Sequence, residues 1–81
     1  MLYLMGTYEN ARQVAKEVGL IEGRDWTLLD VSWKLMGTHE PDVVLLGTYD
    51  RVKGLTEMMD LLYARSATVW SELDLRKGRV R

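Results

Sequence analysis

"DVVLLGTYD", residues 42–50, decides how the rest of this 81-residue chain is read. Four consecutive branched apolar residues, Val43 to Leu46, stand between Asp42 and Gly47. The run is too short for a core helix and lacks the alternation of a strand with one wet face. It fits a strand covered on both sides, as in a parallel sheet. The junction that follows it is spelled twice: "LMGTYEN" at 4–10 matches "LLGTYDR" at 45–51. A third partial copy, "LMGTHEP" at 35–41, precedes a strand instead of ending one and reads as turn composition.

Outward from the first copy, Leu2–Met5 form a short buried strand, and Ala11, Val14, Ala15 and Val18 then recur at helical spacing. Thr7 suits the N-cap, Glu9 the first turn, where the helix dipole favours a carboxylate, and Gly19 the stop. After the turn "IEGRD" at 21–25, "WTLLDV" at 26–31 reads as a second strand. Residues 32–41 have room for one or two helical turns from Ser32, ended by Gly37 and Pro41. A link of roughly ten residues is close to the shortest that carries a parallel crossover; otherwise the flanking strands would pair antiparallel. After the central strand, "TYD" at 48–50 opens a second helix with Val52, Leu55, Met59 and Leu62 on one face. Gly54 costs that helix about 1 kcal/mol if internal, so the start can shift to Thr56. The alternation in "TVWSELDL", 68–75, predicts an edge strand with a wet face.

The expected order is βαβ(α)βαβ over residues 1–75: one α/β domain with a mostly parallel four-stranded sheet flanked by helices, followed by a basic tail at 76–81. At the level of fold it resembles a small Rossmann-like layered sheet, a likeness that does not carry function with it.

Composition narrows the classes. A chain this short buries only about two-thirds of its unfolded surface, and domains of this size often gain stability by oligomerising. Three Trp, four Tyr and five Met are adaptable contact residues, so the expectation is a homodimer. Without cysteine there is no disulfide, thiolate metal site or thiol nucleophile. The N-terminus has no basic region ahead of its short apolar run, and no stretch approaches the roughly 20 apolar residues of a membrane span. The expectation is a cytoplasmic protein without a membrane partner. Residues 1–75 hold seven basic against twelve acidic side chains, while 76–81 carry four basic ones. Nucleic acid would therefore have to be met by the tail and is a poor candidate.

In open parallel sheets the ligand crevice lies beyond the carboxyl ends of the strands, where strand order reverses. Gly6, Thr7, Tyr8 and Glu9 in one copy, Gly47, Thr48, Tyr49 and Asp50 in the other, and Asp30 at the end of the second strand are the candidate ligand residues. Gly would admit a close ligand, helix starts would offer N–H groups to phosphate, and Tyr would supply stacking faces. Neither "GTYENA" nor "GTYDRVKGLT" completes a dinucleotide or P-loop fingerprint. The acids compete with bare phosphate for the same N–H groups. Glu9 and Asp50 are instead candidate ligands for Mg²⁺, which would reconcile acids with a nucleotide or phosphorylated molecule. No histidine accompanies the serines in a triad, and His39 belongs to a surface loop. With no complete catalytic constellation, the leading reading is a non-catalytic interaction module, with Trp33, Met58 and Tyr63 as partner-binding candidates.

Overall fold

Four strands of four residues each build the sheet: β1 (Leu2–Met5), β2 (Trp26–Leu29), β3 (Asp42–Leu45) and β4 (Thr68–Ser71). In the computed structural model, which describes residues 1–80, they lie in the order β2-β1-β3-β4 with every pair of neighbours parallel. Successive side chains point to opposite faces. Leu4 and Val44 accordingly enter one core cluster, with Ala11, Val14 and Ala15 of α1 (Tyr8–Val18), Trp26 and Leu75. Met5 and Val43 enter a second cluster on the other face, with Leu29, Leu35, Val52, and Met58 and Leu62 of α2 (Leu55–Ala64). Covering on both faces explains why β1 and β3 read as uninterrupted apolar runs.

Helix α1 keeps the predicted bounds. Its C-cap Gly19 sits at φ +79°, a conformation costly for any residue with a Cβ, and donates to the carbonyls of Ala15 and Lys16. The small residues Ala11 and Ala15 bring the helix close to the sheet, where Trp26 is 1% exposed.

The link from β2 to β3 is a parallel crossover with a single 3-10 turn, Ser32–Leu35, in place of a helix. Leu35 is fully buried in the second cluster and pins the turn, while the Glu40 amide donates to the Arg65 carbonyl and ties the link to the end of α2.

Two predicted elements require correction. Residues 48–50 do not open the second helix. Tyr49–Arg51 form one 3-10 turn, and α2 begins at Leu55, after Gly54 at φ +67°. The Thr48 hydroxyl is engaged elsewhere and caps nothing locally. Nor does a strand run from 68 to 75. It stops at Ser71, and Glu72–Arg76 form a short helix, α3. Ser71 and Asp74 make a capping box, with the Asp74 amide donating to Ser71 Oγ and the Ser71 amide to Asp74 Oδ2, each at 3.1 Å. Over four residues a period of two cannot be told from a helix, which also separates Leu73 (57% exposed) from Leu75 (8%).

The basic segment joins the fold. Arg76 bonds Glu17 at 2.6 Å and Glu72 at 3.1 Å, Arg79 meets Asp74 at 3.4 Å, and Val80 packs against the first cluster. Arg81 lies outside the described residues. No helix among the described residues is long and apolar enough to cross a membrane.

Removing the cap with Ser71→Ala should cost about 1 kcal/mol in urea unfolding, with loss of helical signal from α3. Acid should also weaken the fold. Hydrogen bonds from Arg76 hold Glu17 below the usual carboxylate range, those from Arg24 do so for Asp25, and those from the Ser71 amide and hydroxyl for Asp74. The folded chain therefore takes up these protons less readily than the unfolded chain. The stabilisation is present above the ordinary carboxylate pKa of about 4 and is lost as pH falls below it. The urea midpoint should drop between pH 6 and pH 3, and drop less in Asp74→Asn.

Candidate functional site

The two Gly-Thr-Tyr junctions are neighbours in space, because β1 and β3 are adjacent and parallel. They are not equivalent. Thr7 caps α1, its hydroxyl accepting the Asn10 amide at 3.3 Å. Thr48 turns toward that cap: its Oγ1 accepts the Thr7 amide at 2.9 Å and donates to Asn10 Oδ1 at 2.8 Å. Asn10 Oδ1 also accepts the Thr48 amide at 3.2 Å. Since the Thr48 proton goes to Asn10, the 3.2 Å contact between the two hydroxyls is a bond donated by Thr7. The result is a closed clasp joining the ends of β1 and β3.

This clasp occupies the place where strand order reverses. Gly6 is needed for it: a Cβ there would lie 2.7 Å from Thr48 Oγ1 and 3.2 Å from Leu46 Cβ. Gly47 is exposed and under no such constraint. Its amide donates to Glu72 Oε1 at 3.0 Å, and the Tyr49 amide donates to the Leu46 carbonyl at 3.0 Å. The backbone donors of residues 47, 48 and 49 are thus all engaged within the chain and are not free to meet a phosphate.

The remaining candidates diverge. Tyr8 leans over Trp26, with ring centroids 6.5 Å apart, and donates its hydroxyl to Glu22 Oε1 at 2.8 Å, which raises the hydroxyl's pKa. It lines a cleft of about 330 Å³ with Gly6, Thr7, Asp30, Arg51 and Lys53. Tyr49 lines a different depression of about 710 Å³, beyond β4. Asp30 pairs with Lys34 at 2.9 Å, Glu9 lies over the outer face of α1 beside Arg12, Gln13 and Lys16, and Asp50 is exposed on its 3-10 turn. Among the described residues no three His, Cys, Asp or Glu side chains are placed to hold a metal ion, so Glu9, Asp30 and Asp50 are not gathered into one carboxylate site. His39 is exposed on the link before β3. Met58 is 1% exposed in the core and its neighbour Met59 is 37% exposed, whereas Trp33 and Tyr63 face outward.

Two residues that complete the junctions were not among the sequence candidates. Asn10, three positions after the cap residue, carries a spacing that signals a helix start, but its contact with Thr48 spans 38 residues. Glu72 reaches Gly47 across 25 and has no local signal at all. No family model matches the chain, and no significant match is found among curated proteins or solved structures.

Replacing the Thr48 hydroxyl by a methyl in Thr48→Val leaves the Thr7 amide and one Asn10 lone pair without a partner and should cost about 1–3 kcal/mol in denaturant unfolding. Gly6→Ala should also destabilise, and by less in a Thr48→Ala background than in the wild type, because the clashing oxygen is then absent.

Proposed function

We propose that this chain is a small cytoplasmic interaction module, non-catalytic and self-associating, that acts by binding a partner protein through the layer formed by α2 and the Ser32–Leu35 turn. One contrast carries the reading. The Thr7 and Thr48 hydroxyls and the amides of residues 7, 10 and 47–49 at the sheet's carboxyl edge are engaged within the chain, whereas Trp33, Met36 and Tyr63 are 65%, 71% and 90% exposed in elements packed against each other on one face. Large side chains with apolar bodies displayed in this way are the residues that anchor protein interfaces. Glu57 and Asp60 are exposed on the same helix, so the fitting partner presents an apolar patch rimmed by basic groups.

A second reading, binding of a nucleotide or other phosphorylated molecule with Mg²⁺, is favoured by Arg51 and Lys53 at the rim of the smaller cleft. The engaged backbone donors at 47–49 and the Lys34 pairing of Asp30 weigh against it. Nucleic-acid binding through the basic end is weakened by the pairing of Arg76 and Arg79 with carboxylates of the same chain.

A partner recovered by crosslinking to the wild type should be lost with the double variant Trp33→Ala, Tyr63→Ala, whose melting temperature should stay near wild type because both side chains are exposed. Retention of the partner would remove this surface. A nucleotide panel with and without Mg²⁺ should leave the melting temperature unchanged; a rise with any member transfers the assignment to the cleft, since a ligand of the folded state alone must stabilise it.

A further inference from the structure

The two edges of the sheet are finished differently. On β2, the Leu2 amide donates to the Asp25 carbonyl, so strand alternation turns the carbonyls of Trp26 and Leu28 away from β1. Both are covered from within the chain: Trp26 O accepts the Gly23 amide at 2.8 Å, and Leu28 O accepts Lys34 Nζ at 3.0 Å. That edge is closed to a further strand.

On β4, the Thr68 amide donates to the Pro41 carbonyl, so Thr68 and Trp70 face β3, while Val69 and Ser71 direct their backbone groups outward. The Ser71 amide is taken by Asp74. Val69 therefore presents an N–H and a C=O on the same open side. Its side chain is 44% exposed on the sheet face that carries α2, because α2 does not extend over it. Beside it runs the depression of about 710 Å³, rimmed by Tyr49 (38% exposed) and Leu73 (57%) and floored by Leu45. No charged residue occurs within β4 to discourage pairing.

We propose that this edge receives a second copy of the chain, the β4 strands pairing antiparallel about a twofold axis at Val69. The backbone selects this occupant. A donor and an acceptor on one residue are self-complementary under a twofold: the Val69 amide of each copy donates to the Val69 carbonyl of the other, and the two four-stranded sheets become one of eight strands. An extended peptide would gain only the same two bonds, since the capping box closes the next rung, and peptides held at sheet edges depend on a row of them. A second copy adds what a peptide lacks: its own Tyr49, Val69 and Leu73, so that the uncovered apolar rim is buried twice. The inference rests on the reading of the chain as self-associating and is independent of the partner surface on α2.

Sedimentation equilibrium and amide hydrogen exchange test it on the whole chain. The wild type should sediment at twice its 9.4 kDa monomer mass, with the Val69 amide protected at high concentration and exchanging freely on dilution. Val69→Lys, which brings like charges together at the axis, should weaken the dimer at least roughly 100-fold with an unchanged circular dichroism spectrum. Leu73→Ser should likewise weaken the dimer and remove the concentration-dependent protection of the Val69 amide while keeping Val69 itself. Tyr63→Ser should leave the dimer intact. A dimer that survives Val69→Lys, or that Tyr63→Ser dissolves, overturns the β4 interface and leaves self-association standing. A wild type that sediments as a monomer at 0.1 mM, a concentration of roughly that order being ample for a specific dimer, overturns both.

Discussion

The Thr48 hydroxyl joins the two halves of the sheet's carboxyl edge. It accepts the Thr7 amide and donates to Asn10, so the start of α1 is capped partly by a residue 41 positions away. A β1-α1 unit and a β3 unit that also meet through their ladder and the first core cluster are thereby locked at the point where strand order reverses. Gly6 has no Cβ because the Thr48 oxygen occupies its place, and the amides of residues 47–49 are already engaged. Doubly wound sheets commonly open a ligand crevice at this point; here the Thr7–Thr48–Asn10 clasp sits there, beside a cleft of about 330 Å³.

Stability elsewhere comes from two small clusters on opposite faces, organised by the alternation of Leu4 with Met5 and of Val43 with Val44. A core of this size leaves little surplus. The economy shows in the covering layers. One crossover is a single 3-10 turn pinned by Leu35, and the last helix is five residues held by a capping box and by Arg76 bridging Glu17 and Glu72. Short layers cannot cover the whole sheet, which is why Val69 and Leu73 remain exposed at one edge. The opposite edge is closed by Gly23 and Lys34.

Much of the scaffold was legible because its signals are local. The run at 43–46, the spacing of Ala11, Val14, Ala15 and Val18, and the Thr7 and Gly19 boundaries all depend on residues a few positions apart. The site was legible only in part. The repeated Gly-Thr-Tyr suggested two matching junctions facing one crevice, yet Tyr8 and Tyr49 line different depressions and only Thr7 caps a helix. Four-residue periodicity likewise failed to separate strand from helix at 72–75, where Ser71 and Asp74 decided the matter by bonding each other.

Sequence alone determined the class of this protein: an α/β chain with a Gly-Thr-Tyr junction after two of its strands, no thiol chemistry and a large allotment of aromatic and Met side chains, since hydrophobic period, capping residues and composition act over short distances. Tertiary structure decided what those junctions are for. Whether Thr48 caps its own helix or reaches Thr7 and Asn10 depends on β3 lying beside β1 in parallel register, and whether an edge is open depends on which amides a distant Lys34 or Asp74 can reach. Such bonds join residues brought together only by the packed chain, so no spacing in the sequence encodes them.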